Sequence, residues 1–111
     1  MTYNTLIELS PGEIPVIFEV ELGGSVFLMG INENMEFDYL TVDLYDADSN
    51  PIVLGEKLVI DQPLFDDYID ERLPGPVIVP SDTSKNEEKV TADNLGVTVF
   101  LYIDDGGAEI D

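Results

Sequence analysis

The chain has 111 residues, a length that suits one domain, and 44% of them are apolar, which is enough for a hydrophobic core. Four basic residues stand against 24 acidic ones, so the formal net charge is −20. An acidic chain repels nucleic-acid phosphates, so direct binding to DNA or RNA is not expected. The sequence has no histidine and no cysteine, which removes the usual general base, common metal ligands and any disulfide. No apolar run approaches the roughly 20 residues of a membrane helix, so no membrane contact is expected.

The first third of the chain has the pattern of antiparallel strands. Residues 3–9 predict a first strand with Leu6 in the core. Every second residue from Ile14 to Leu22 is then apolar, with Glu19 and Glu21 between them, which is typical of a half-buried strand. Gly23-Gly24 forms a two-residue loop that tolerates positive φ at both positions, as a tight hairpin requires. Residues 25–31 are the predicted return strand, and residues 32–34 the next connection.

The stretch from Phe37 to Leu54 predicts a long strand, a polar turn and a return strand. Every second residue is apolar on one face, formed by Leu40, Val42 and Leu44. The opposite face carries Phe37, Tyr39, Thr41, Asp43 and Tyr45. Residues 46–50 supply the short polar side chains that turns favour, and Pro51 ends the turn.

The C-terminal half changes period once. Residues 62–71 carry apolar side chains at helical spacing, which predicts one or two helical turns over an open end of the sheet. Residues 77–79 predict an edge strand, because prolines flank them. Residues 81–89 predict a mobile polar loop, and residues 97–103 a central strand.

These elements predict an all-β fold, a small antiparallel β-barrel or sandwich of about seven strands with one short helical turn. Residues 1–103 form the single β domain of this interpretation. Residues 104–111 form an acidic, Gly-rich tail that we expect to be disordered.

No motif predicts catalysis, a cofactor or a metal. The run from Asp46 to Asn50 matches the first half of an EF-hand calcium loop, but Pro51 and Lys57 stand where that loop needs glycine and glutamate. The acidic pairs at 66–67, 70–71 and 104–105 have no histidine or cysteine to support them. A hairpin turn is the preferred interpretation of the first motif, and an enzyme is not expected.

Three aromatic side chains opposite the core face of the central strand, Phe37, Tyr39 and Tyr45, are candidates for contact with a partner. Two interpretations stay open for them. They pack against a second layer behind a closed barrel, or they bind another protein, since tyrosine is enriched in protein interfaces.

The order of motifs resembles the small baseplate plug proteins of contractile-tailed bacteriophages, typified by the plug of a cyanophage baseplate. The likeness extends from about Leu6 to Ile103. Two of its motifs are in the first half of the chain: Leu22-Gly23-Gly24, and the run from Val42 to Asp48 before Pro51-Ile52-Val53. Two more are in the second half: Leu73-Pro74-Gly75 before Val77-Ile78-Val79 and Ser81-Asp82, and Asp93-Asn94-Leu95-Gly96 before Leu101-Tyr102. The chain departs from the family where Ser49-Asn50 replaces a turn glycine, where Pro76 replaces a second glycine, and where Glu and Asp replace strand arginines.

The resemblance implies a structural virion protein at the tube–baseplate junction, present in several copies around the tail axis. Its partners would be the baseplate hub and also the tail tube or tape measure, and it would have no catalysis or cofactor. It would be found in the phage tail baseplate, and in the host cytoplasm during assembly. The alternative that size and charge also allow is an acidic DNA mimic that inhibits a host DNA-binding protein.

Overall fold

The computed structural model describes residues 5–7, 14–66, 71–75 and 77–104. These residues form antiparallel strands and contain no helix, so no helix among them could cross a membrane. The strands are β1 (Thr5–Ile7), β2 (Val16–Leu22), β3 (Ser25–Asn34), β4 (Tyr39–Asp46), β5 (Pro51–Lys57), β6 (Val77–Ser81) and β7 (Phe100–Asp104). The all-β class and the antiparallel pairing predicted from the sequence are confirmed.

Strands β2 to β5 form a four-stranded meander in chain order. Gly23 and Gly24 have φ values of 62° and 86°, so the predicted hairpin between β2 and β3 is confirmed. The return strand is longer than predicted, because residues 32–34 belong to β3 and not to the connection. The turn to β4 consists of residues 35–38, which removes Phe37 from the strand.

A bulge interrupts the pairing of β4 with β5. Leu44 pairs with Val53 and Val42 with Glu56, so one residue of β4 faces two of β5. Gly55 occupies the bulge at φ 77°, and its backbone N–H donates to the Asp43 carboxylate over 2.7 Å. A residue without a Cβ adopts this left-handed conformation without strain.

Strands β1, β7 and β6 form the second sheet in that order. The central position of the last strand and the edge position of the 77–79 strand are therefore as predicted, but β7 begins at Phe100 and not at residue 97. The two sheets share one hydrophobic core, and the described strands do not close into a barrel. The most buried side chains of this core are Met29, Ile31, Leu40, Val42, Leu44, Ile78, Val90, Leu95, Val99 and Leu101.

The segment predicted to be helical covers the outer edge of β6 without a helix in its described part. Residues 60–61 and 64–66 form turns, and Phe65, buried at φ 65°, lies outside the right-handed helical region. The backbone N–H groups of Asp61 and Leu64 donate to the carbonyls of Pro80 and Ile78 over 2.7 and 2.8 Å. Pairing with a sheet edge has replaced helical hydrogen bonding here. Residues 67–70 lie outside the described residues, as do residues 105–111 of the predicted tail.

Candidate partner-binding site

The turn between β3 and β4 builds a cluster that we call the aromatic corner, made of Phe37, Tyr39, Asn34 and Lys57. The Asn34 amide holds the turn, since its oxygen accepts the backbone N–H of Phe37 over 3.1 Å and its nitrogen donates to the Tyr39 hydroxyl over 3.2 Å. Asp38, at φ 57°, reverses the chain between the two aromatic residues. The rings of Phe37 and Tyr39 stack with centroids 6.5 Å apart and planes 20° apart. The corner is thus held in place before any partner arrives.

The aromatic corner combines apolar surface with positive charge. Phe37 is 66% exposed, while Tyr39 is half-buried. The Lys57 ammonium lies 4.9 Å from the centre of the Tyr39 ring, in the range of a cation–π contact. Lys89 forms a 2.7 Å ion pair with Asp38 of the same turn. Two of the four basic residues of the chain therefore lie at or beside this corner.

Tyr45 is not part of the aromatic corner. It lies on the same outer face of the four-stranded sheet as Tyr39, but at the far end of β4, opposite Leu28 and Pro51. The two tyrosines are six residue steps apart along the strand, a distance of about 20 Å. The structure therefore brings Phe37 and Tyr39 together and leaves Tyr45, half-buried, as a separate contact candidate.

The sequence interpretation missed two residues, one of the aromatic corner and one that lies in its turn. Met35, in the same turn as Phe37, is 82% exposed. A large apolar residue inside the polar run Asn-Glu-Asn-Met-Glu-Phe-Asp was the available signal. Lys57 joins the site through the pairing of β4 with β5, where it lies opposite Thr41. No local sequence pattern links Lys57 to Tyr39, because the two side chains meet only through the register of β4 against β5, which the bulge shifts.

The turn from Asp46 to Asn50 uses its carboxylate to hold its own backbone. One oxygen of Asp46 accepts the N–H groups of Asp48 and Asn50 over 2.9 Å each, and the other accepts the Asn50 side-chain amide over 3.0 Å. The Asn50 backbone hydrogen bond, followed by its side-chain hydrogen bond, lowers the pKa of Asp46 below the usual aspartate range. Ser49, at φ 71°, completes a hairpin turn of the kind predicted. The absence of tight calcium binding stays a prediction.

Comparison with known protein families gives one finding about the chain. A family model described as the cyanophage baseplate Pam3 plug gp18 matches residues 5–106. The match includes all seven strands and the aromatic corner. Comparisons with curated proteins and with solved structures found no match.

Proposed function

Because the chain belongs to the cyanophage baseplate plug family, we propose that it sits at the tube–baseplate junction of a contractile tail and contacts the baseplate hub. Membership places it among structural proteins of the virion tail. The family match over residues 5–106 is the observation on which the proposal depends. Several copies around the tail axis would contact the hub, and the tail tube or tape measure would be further partners.

The aromatic corner is the proposed hub contact. Exposed Phe37 and Met35 supply apolar area, and the stacked ring of Tyr39 is already oriented. Rigid aromatic side chains lose little conformational entropy on binding, so they are frequent anchors of interfaces. Tyr45, at the other end of β4, would contact a second point on the hub or a neighbouring component.

The acidic surface suits a position on the path of the genome. At a net charge of −20, exposed carboxylates repel phosphates, so DNA passing a carboxylate-lined conduit would not adhere to it. Where charge is found mainly at the rim of an interface, it sets the rate of encounter, while desolvated aromatic residues slow dissociation.

The test is a kinetic binding assay between this chain and the baseplate hub protein of the same phage. Tyr39→Ala and Phe37→Ala should each raise the dissociation rate roughly tenfold or more and change the association rate little. Phe37 is exposed and Tyr39 is half-buried outside the core, so thermal unfolding should show a retained fold. Glu88→Gln, an exposed change outside the residues that form the corner, is the control and should dissociate like the unmodified chain.

Two results would contradict parts of the proposal. A normal dissociation rate for Tyr39→Ala and Phe37→Ala, with a faster rate for Tyr45→Ala, would move the contact to the other end of β4. No hub binding, together with nanomolar capture of a host nuclease or another DNA-binding protein, would instead support the DNA-mimic function.

A further inference from the structure

The four outer edges of the two sheets differ in how they are covered. The edge of β6 receives hydrogen bonds from Asp61 and Leu64. Strand β5 begins with a proline, bulges at Gly55 and receives a hydrogen bond from Arg72 on the Pro51 carbonyl. Strand β1 is three residues long. Strand β2 has seven residues, and within the described ranges nothing pairs with its outer edge.

The hairpin register shows which backbone groups of β2 point outward. A two-residue loop closes on a hydrogen-bonded pair, here Leu22 and Ser25. Pairs alternate from there, so Phe18 and Val20 bond to β3, while the N–H and C=O groups of Ile17, Glu19 and Glu21 point away from it. Extended across β3 to β4, the same alternation predicts that the Leu40 backbone groups point away from β3. The Leu40 carbonyl accordingly accepts a hydrogen bond from the Leu58 N–H. Three donors and three acceptors thus form a regular row along β2.

The side chains of β2 give this edge a definite chemistry. On the core side, Val16, Phe18 and Val20 are only half-buried, so an added strand would cover apolar surface there. On the outer side, Ile17 is 68% exposed and Glu19 and Glu21 are exposed. The core-side positions favour apolar residues opposite them, and the glutamates favour lysine or arginine opposite them.

We propose that β2 is a docking edge that accepts an extended strand of a basic partner protein, with apolar and basic residues in alternation. The partner strand would extend the four-stranded sheet by main-chain hydrogen bonds to Ile17, Glu19 and Glu21. A second copy of this chain does not fit this edge, because antiparallel pairing of two β2 strands brings their glutamates together and like charges across strands destabilise. This inference goes beyond the proposed hub contact and does not depend on it, since the edge contains no residue of the aromatic corner.

The experiment uses the full chain and a labelled peptide, acetyl-Val-Lys-Val-Arg-Val-Lys-Val-amide, in fluorescence anisotropy and amide hydrogen exchange. Saturating peptide should slow exchange of the Ile17, Glu19 and Glu21 amides by roughly tenfold or more, since these become hydrogen-bonded. The Phe18 and Val20 amides, already bonded to β3, should change little. N-methylation of the peptide amides that face β2 should abolish binding, while methylation of the alternate amides should leave it intact.

Charge variants separate strand addition from general attraction of a basic peptide to an acidic protein. Glu19→Lys with Glu21→Lys should weaken binding of the basic peptide roughly tenfold and create binding of the same peptide with glutamate at its basic positions. Glu88→Lys with Asp93→Lys makes the same charge change at exposed positions outside β2 and should weaken binding by less than about twofold.

Three results would overturn the inference. Equal weakening by the two double variants would show that only net charge attracts the peptide. Protection spread over amides outside β2 would place the peptide elsewhere. Protection of Ile17, Glu19 and Glu21 that rises with protein concentration in the absence of peptide would make a second copy the occupant.

Discussion

Asp82 shows how one carboxylate organises a loop. It is only 4% exposed, and it accepts backbone N–H groups from Ser84, Asn86 and Glu87 over 2.9 to 3.0 Å, as well as the Ser84 hydroxyl. The sequence predicts a mobile loop over residues 81–89, because its side chains are polar. In the structure, the backbone closes around a buried acceptor, which polar composition alone does not reveal. The mobility of the loop stays a prediction.

The pKa of Asp82 makes its contribution dependent on pH. Hydrogen bonding, first from the Ser84 side chain, lowers this pKa, and burial only partly opposes the effect. Because the pKa of Asp82 is lower in the folded state, its ionised form stabilises the fold at pH values above the unfolded-state pKa of about 4. This stabilisation is lost as the pH falls through the folded-state pKa. Asp82→Asn should therefore lower Tm at pH 7, and the difference from the unmodified chain should shrink toward pH 3. Scanning calorimetry across this range is the measurement.

Asp93→Asn is the matched control for Asp82→Asn, because it removes the same charge at an exposed position in the neighbouring turn. It should leave Tm nearly unchanged throughout the pH range. A Tm at pH 7 that is equal for the two variants would mean that the Asp82 hydrogen bonds add nothing to stability.

At the scale of elements, β4 has one fully buried face and one partly exposed face. Val42 is 0% exposed, while Thr41 is half-buried on the outer face opposite Lys57. Val42→Asp should unfold the domain, because an unpaired buried charge costs several kcal/mol against a total stability of about 5–15 kcal/mol. Thr41→Asp should remain folded at 25 °C. Urea unfolding of both variants measures this, and equal damage would mean that the outer face is as closed as the core.

The β5 bulge depends on a residue that tolerates positive φ. Gly55 lies at φ 77° with open space where a Cβ would be, so Gly55→Ala introduces backbone strain without a clash. The expected loss is about 1–2 kcal/mol. Gly75→Ala is the control, since Gly75 also has open space but a φ outside the left-handed region, and it should be neutral. Urea unfolding midpoints of the two variants are the measurement. Equal midpoints would show that the bulge adjusts its backbone to accommodate alanine without loss of stability.

An element can be predicted from the sequence when the interactions that form it are between residues close together in the chain. The Gly23-Gly24 hairpin, the alternation of β2 and the Asp46 turn depend on neighbouring residues, and the sequence predicts all three. Residues 62–66 have helical apolar spacing, but Leu64 and Phe65 are buried while the Leu64 backbone bonds to the edge of β6. That outcome depends on a strand distant in sequence, so a local pattern could not reveal it.

At the scale of the whole molecule, the division into two sheets was beyond sequence patterns. Barrel and sandwich have the same alternation along their strands, and only long-range pairing distinguishes them. The same limit applies to the site. Phe37 and Tyr39 are predictable as surface aromatics from their spacing, but the separation of Tyr45 and the approach of Lys57 and Lys89 depend on the register of β4 and β5 and on the fold.

The net charge of −20 governs how copies of the chain meet. Identical acidic subunits repel one another at low ionic strength, so we expect the isolated chain to be monomeric in 20 mM salt at micromolar concentration. Screening at 500 mM salt should permit at most weak association through the exposed apolar side chains Ile17, Met35, Phe37 and Leu54. Sedimentation velocity at the two salt concentrations is the measurement. A salt-independent oligomer would show that apolar contacts between copies outweigh the charge, and the several copies expected around the tail axis would then assemble without the hub.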